Sequence, residues 1–577
     1  MRPSVFVALL AALLAFPAAA LSQVGDAGPD QSMVDQTKGA HRDLPTAAER
    51  EAGGGEDSHA DADCGGKSDG GASPQPGETG GSPGGDPRAD KARCRKLQDS
   101  DIVTAPIAEA RVASRHQATI GGKPVPYTAT AGTLTLRDDE GKPTGSMFYV
   151  AYTTGEPNRP VTFFYNGGPG SATVWLHMGS LAPVRVLTDS PKPTHNAPYQ
   201  LVNNDSSLID KSDLVFLDAM GAGYSRPLGD TKLAAFWGTD QDIDAFARAI
   251  ERWLTINGRW NAPKFLFGES YGTTRSAGLS YRLQSDGVQL NGVVLLSSVL
   301  NYGRFRPGFE QDMVDYIPTY AAVAAYHHKL AADPADLPGF IAEVRAFAQG
   351  PYALALAKGQ ALGDAERQAV AEKLSGYIGL PTSYIIASNL RIDPSRFRKE
   401  LLRDQRLTIG RYDARFTGQD VDAAGETPEF DPSDTGITGA FVAALHDYLV
   451  HDLGYETRLD YRPGYAAPGV RWDFNHKAAE LGGGGDVNEA DVALDLSQAM
   501  RENPHLLVYS LNGIYDLATP FFGTEYDLGH LQLEPALRGN VRFAYYPSGH
   551  MVYLNPDALR SMKTDLAKFY DEAAPGR

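Results

Sequence analysis

Phe265-Leu266-Phe267-Gly268-Glu269-Ser270-Tyr271-Gly272 places a short apolar run before a Gly-x-Ser-x-Gly turn, and the helix-compatible run TTRSAGLSYRL follows. A strand-to-helix turn this sharp needs glycine on both sides, because side chains there would collide with neighbouring backbone. It thrusts the serine hydroxyl out at the carboxyl edge of a sheet. The five letters alone arise by chance and fit a structural serine, but the strand-and-helix context favours a nucleophile. A serine hydroxyl at its ordinary pKa is a weak nucleophile, so a base and an orienting acid should follow it in the chain.

Both are present. Asp516 stands in YSLNGIYDLATP, five residues after an apolar run ending at Leu511, and His550 stands in YYPSGHMVYL, four after one ending at Tyr546. The order Ser, Asp, His, each just past a strand, is one of the known chain orders of an acyl-transfer triad. His530 competes for the base, but EYDLGHLQL reads as a helical, surface or packing site. Asp527, in the same helix, and Asp218, after an earlier strand, compete for the acid; Asp218 reads better as a brace for the turn GAGYSRP. A second glycine-rich loop, Asn166-Gly167-Gly168-Pro169-Gly170, follows the apolar run Val161–Tyr165. A triad of this kind needs two backbone N–H donors for the tetrahedral oxyanion. One comes from the residue after the nucleophile, here Tyr271, and one from a loop after an earlier strand, which is where this loop lies. A phosphate cradle fits less well, since no Lys-Ser/Thr pair follows the glycines.

The elements that must position these groups are legible as a rhythm. Alternating stretches from Gly132 to Thr153, with a turn around Asp138 to Lys142, predict a hairpin. Short apolar strands are predicted at Val161–Tyr165, Leu214–Leu217, Phe265–Phe267 and Val293–Leu296, then again at Leu506–Leu511 and Val541–Tyr546. Ile243, Phe246, Ala247, Ile250, Trp253 and Leu254 recur at helical spacing within 240–254, and a last helix is expected over about 556–570. Apolar strands alternating with helices imply a mostly parallel sheet covered on both faces. Residues 302–504 interrupt the rhythm and read as helical, so the expected architecture is one α/β sheet domain, 101–301 and 505–577, carrying a large, mainly helical insertion or cap.

The N-terminal part is of another kind. Arg2, the apolar run Val5–Phe16 and Ala18-Ala19-Ala20 read as a secretory signal over residues 1–22. The apolar run is short for a membrane span of about 20 residues. The expectation is an exported, soluble chain, periplasmic or extracellular, with no integral membrane segment after signal removal. Residues 23–100 are low in complexity and contain no Phe, Tyr or Trp, which predicts a disordered leader. Cys64 and Cys94 lie in it; they are either a disulfide pair or incidental thiols, and a zinc site is disfavoured with only His59 close by. No metal or cofactor is implied. A formal charge of −18, from 53 Lys+Arg against 71 Asp+Glu, argues against nucleic acid or anionic membrane surfaces as partners.

NGGPG after a strand, GESYG at the nucleophile, an Asp reached through N-G-x-x-D and GHM at the histidine together resemble the serine carboxypeptidases, peptidase family S10, from about residue 130 onward. Core strands without cysteine suit a bacterial branch. The resemblance implies an α/β-hydrolase fold and release of single residues from the free C-termini of peptides through an acyl-enzyme. It makes Ser270 the nucleophile, His550 the general base and acid, and Asp516 its partner. It assigns the oxyanion N–H groups to Gly168 and Tyr271, and recognition of the substrate carboxylate to Asn166 and Glu269. Three positions depart from the family pattern: Phe164 replaces a Trp, Ser171 a Cys, and Ser180 a second Glu before a Leu-x-Pro. Half of the carboxyl network is therefore missing, which predicts a less acidic optimum. It also keeps open an esterase or acyltransferase using the same triad, and more remotely a non-catalytic binding protein. Arg411 and Arg415, in GRYDARFTG, could compensate for the missing charge or be structural.

Overall fold

A computed structural model of the chain describes residues 105–465, 471–479, 486–487 and 489–575. The signal, the leader and both cysteines lie outside the described residues. Nine strands form the main path of one sheet. They are β1 (Arg111–Ile120), β2 (Lys123–Arg137), β3 (Pro143–Thr153), β4 (Val161–Tyr165), β5 (Asp213–Leu217), β6 (Lys264–Glu269), β7 (Gly292–Leu296), β8 (Leu507–Gly513) and β9 (Val541–Tyr546). Their order across the sheet is β1-β2-β3-β5-β4-β6-β7-β8-β9. The first three strands pair antiparallel with one another and onto β5. From β5 to β9 every neighbouring pair is parallel. The expected hairpin closes through Asp138, whose N–H donates to the Lys142 carbonyl at 3.0 Å. The fold is that of an α/β hydrolase.

Alternation within the strands feeds two cores. Phe164, Phe216, Phe265, Phe267, Val294 and Leu296 face one side, where helix Pro556–Ala573 packs through Leu559, Met562, Leu566 and Phe569. Phe163, Tyr165, Val215, Leu217, Leu266 and Val293 face the other, covered by α1 (Thr239–Ile256) and α2 (Tyr271–Ser285). Strands buried on both faces must be apolar throughout, which explains why they read as continuous runs. Helix Ala493–Glu502, counted with the insertion by its sequence position, instead joins this second core through Leu496, Ala499 and Met500.

Most of the segment between β7 and that helix is helical, with Gln311–Tyr326, Leu337–Phe347, Asp364–Ile378, Pro394–Glu400 and Thr438–Asp447 as its main elements. The first four surround a core of their own, including Ile317, Tyr320, Val344, Tyr352, Leu374 and Phe397. Tyr515, Leu517, Phe521 and Phe522 of the sheet domain enter that core, so the insertion is anchored directly behind the Asp516 loop. Among the described residues, no helix is long and apolar enough to cross a membrane.

Candidate active site

Ser270 occupies the turn between β6 and α2 with φ +60° and ψ −132°, a conformation an L-residue rarely adopts. The flanking glycines have a steric reason. A Cβ on Gly268 would collide with the Gly272 carbonyl, and one on Gly272 would lie 2.7 Å from the Tyr165 carbonyl oxygen. The turn is therefore wedged against the end of β4. Arg275, one turn into α2 and wholly buried, ties the two loops together. Its Nη1 donates to the Asn166 carbonyl at 2.8 Å, while Nε and Nη2 reach Asp242 of α1 at 2.7 and 3.1 Å. The guanidinium also lies 4.0 Å from the Phe246 ring centroid.

Asp516 and His550 stand beyond the carboxyl ends of β8 and β9 and meet through Nδ1 and Oδ2 at 2.7 Å. Because a carboxylate only accepts, this bond places the imidazole proton on Nδ1 and leaves Nε2 as the basic nitrogen. Asp516 is completely buried and saturated with donors: Ala518 N at 2.8 Å, Thr519 N at 3.1 Å and Thr519 Oγ1 at 2.8 Å, besides the histidine. Ser297, at the end of β7, stitches the two loops. Its hydroxyl donates to the His550 carbonyl at 2.7 Å, and its own carbonyl lies 2.9 Å from Thr519 Oγ1, whose single proton is shared between that carbonyl and Asp516. The insertion contributes as well, since the His550 N–H donates to the Tyr412 carbonyl at 2.6 Å and the two rings lie 5.2 Å apart.

The glycine-rich loop lies against the nucleophile turn. A Cβ on Gly167 would collide with the Tyr271 N–H, so only glycine lets the two backbones approach this closely. Among the described residues, neither the Gly168 nor the Tyr271 N–H is taken up by a backbone carbonyl. The Asn166 side chain is fixed at both ends: Oδ1 accepts from Leu176 N at 3.0 Å and Nδ2 donates to Glu269 Oε1 at 2.7 Å. Burial pushes the Glu269 carboxyl up to about 7, against the opposing pull of His550, Tyr553 and Asn166. Glu269 is therefore a proton-bearing group through the acid range and an anion only above neutrality.

The remaining sequence candidates separate from this centre. His530 is exposed and its Nδ1 meets the Tyr526 carbonyl at 2.7 Å. Asp527 pairs with Arg304 at 2.9 Å and accepts from Leu300 N. Asp218 accepts from Thr173 N at 2.8 Å, and burial pushes its carboxyl up to about 6, as suits a brace between two loops. Arg415 is paired with Asp413 at 2.5 Å. The Arg411 backbone carbonyl accepts from Leu517 N at 3.0 Å, so this segment contacts the Asp516 loop through its main chain. Ser180 is buried and its hydroxyl turns back to the Leu176 carbonyl at 2.5 Å. Sequence reasoning missed Arg275, Ser297, Tyr412, Thr519 and Tyr553. Of these, only Thr519 carried a signal, a hydroxyl three residues beyond the acid.

Residues 121–300, from the first hairpin through the nucleophile turn to the end of β7, match the family model described as serine carboxypeptidase. Over that stretch the chain is similar to the serine carboxypeptidase family. Solved structures similar to it include the proline iminopeptidase of Mycobacterium smegmatis, at 13% identity over 80% of this chain and 98% of that one, TM-score 0.30. Others are a soluble variant of the monoglyceride lipase of Saccharomyces cerevisiae (10%, 77% and 95%, TM-score 0.31) and a carboxyl esterase of Bacillus coagulans (10%, 77% and 98%, TM-score 0.30). Among curated proteins, no sequence relative matches. The match supports a serine hydrolase, and the Asp516–His550 pair lies beyond the matched residues. Among the described residues, no cluster of three or more His, Cys, Asp or Glu could hold a metal ion.

Proposed function

We propose that this protein is an exported serine carboxypeptidase that removes C-terminal residues from peptides. In the first half-reaction Ser270 Oγ attacks the last peptide carbonyl as its proton passes to His550 Nε2. The Tyr271 and Gly168 N–H groups hold the resulting oxyanion. Collapse breaks the C–N bond, and the leaving amine takes the proton from His550. Water, deprotonated by the same nitrogen, then attacks the acyl-enzyme and releases the shortened peptide, returning the proton to Ser270. Export rests on the N-terminal signal-like segment.

The observation that carries the exopeptidase reading is Glu269. One residue from the nucleophile, it is a buried acid held by Asn166, with Oε2 lacking a partner at full hydrogen-bond geometry among the described residues. A neutral acid there can share its proton with a substrate carboxylate, whereas two bare anions in a desolvated site repel. The favoured pH is therefore mildly acidic to neutral.

A second reading, esterase or acyltransferase, draws on Ser180, whose hydroxyl is turned to the Leu176 carbonyl where a carboxyl is expected. Mass spectrometry of peptide digests separates the two. Stepwise shortening from free C-termini, absent in Ser270→Ala and in C-terminally amidated peptides, supports the carboxypeptidase. Ester turnover alone, or equal cleavage of amidated peptides, replaces it with the second reading.

A further inference from the structure

We propose that Tyr553 takes over the task of the missing second carboxyl, its hydroxyl donating, beside Glu269, to the C-terminal carboxylate of the substrate. The inference rests on the carboxypeptidase reading of the same site and names a residue that the motifs do not. Tyr553 follows His550 by three positions, in the turn Val552–Leu554, and is 2% exposed. Its ring lies over the start of the Ser180 segment: a Cβ on Gly179 would sit 2.6 Å from Tyr553 Cε2. The room that a small pair, Gly179-Ser180, leaves beside the glycine-rich loop is thus filled by an aromatic side chain from the far end of the chain.

The polar tip of that side chain is in the right company. Tyr553 lies close enough to Glu269 and Asn166 for its hydroxyl to share weak hydrogen bonds with both. Yet Tyr553 Oη and Glu269 Oε2 are both buried, and neither has a partner at full hydrogen-bond geometry among the described residues. Buried polar atoms left in this state are costly and point to a partner that arrives from outside. Asn166 adds a third donor, because its amide nitrogen carries two protons, one donated to Glu269 and the other only weakly engaged by the Tyr553 hydroxyl. A carboxylate bound here meets a phenol O–H, a carboxylic acid O–H and an amide N–H. Burial drives Tyr553 well above the ordinary phenol value, so it stays a neutral donor throughout the working range. A glutamate in this role must itself be protonated, whereas a tyrosine imposes no such condition.

The test compares two substrates, an N-blocked dipeptide with a free C-terminal carboxylate and the same dipeptide C-terminally amidated, on wild type and Tyr553→Phe. Losing one donor to a charged acceptor should lower the ratio of kcat/KM for acid over amide by about 10- to 100-fold, mainly through KM. Labelling of Ser270 by a fluorophosphonate reports separately on the triad. A wild type that does not prefer the free acid removes the carboxypeptidase reading itself. A wild type that prefers it, with Y553F preserving that preference within about twofold, overturns the role of Tyr553 alone. If Y553F loses both substrates alike together with Ser270 labelling, Tyr553 is a packing residue and the proposal falls.

Discussion

Replacing Glu269 by glutamine should uncouple substrate recognition from pH. The carboxyl is 3% exposed, and burial pushes its pKa up to about 7. Below that value it can share a proton with a peptide carboxylate, and above it two anions oppose each other. For one titrating acid, the KM for a free-acid peptide rises about twofold at pH 7, about elevenfold at pH 8 and about hundredfold at pH 9, relative to its low-pH plateau. Glutamine offers an N–H at every pH, so E269Q should show a flat KM between about pH 6 and 9 and overtake wild type at the alkaline end. Initial rates on the free-acid and amidated dipeptides measure this, the amide serving to remove the titration of the histidine base. Stability supplies an independent readout. The unfolded carboxyl ionises near 4.5, so the folded state holds the extra proton between there and about 7. Stability is complete below 4.5 and falls as pH rises through 7, by at most about 3 kcal/mol. In denaturant melts, E269Q should gain on wild type at about pH 8 relative to about pH 5. A wild-type KM for the free acid that does not change from about pH 6 to 9, or an E269Q slope equal to that of wild type, would refute the reasoning.

Three further outcomes follow from the packing around the site. Arg275→Met leaves Asp242 buried and unpaired and should cost about 3–5 kcal/mol in urea unfolding; a loss under about 1 kcal/mol would show that the ion pair is not the brace it looks to be. Gly268→Ala drives a methyl into the Gly272 carbonyl, so fluorophosphonate labelling of Ser270 should disappear, and normal labelling would mean the turn can relax. His476 bridges Asp240 and Asp495 at 2.6 Å each; burial opposes its charge, but the two carboxylates raise it to about 9. Its contribution is full below about 6.5 and is lost as pH rises through about 9. Wild type should therefore weaken across that window by up to about 3 kcal/mol, and His476→Gln should lack this dependence in pH-resolved thermal melts.

The candidate nucleophile, acid and base stand out in the sequence because each sits on a short local pattern, an apolar strand followed by a turn, and at Ser270 the flanking glycines are required by backbone contacts close by. The strand rhythm was legible for the same reason, since a strand covered on both faces must be apolar at every position. Helix Ala493–Glu502 was harder to place, because its amphipathic pattern fits a cap and a core helix equally well, and only its contacts with α2 decide. What the tertiary structure alone decided are pairings between distant positions. Examples are Arg275 with the Asn166 carbonyl, Ser297 with His550, the Tyr412 carbonyl on the His550 N–H, and Tyr553 over Gly179. None of these leaves a periodicity or a spacing, because their partners are brought together by the sheet order and by the path of the insertion. Ser180 marks the boundary between the two kinds of knowledge. Its identity showed that a carboxyl was absent, but only the folded chain places the Tyr553 hydroxyl beside Glu269, the acid that remains.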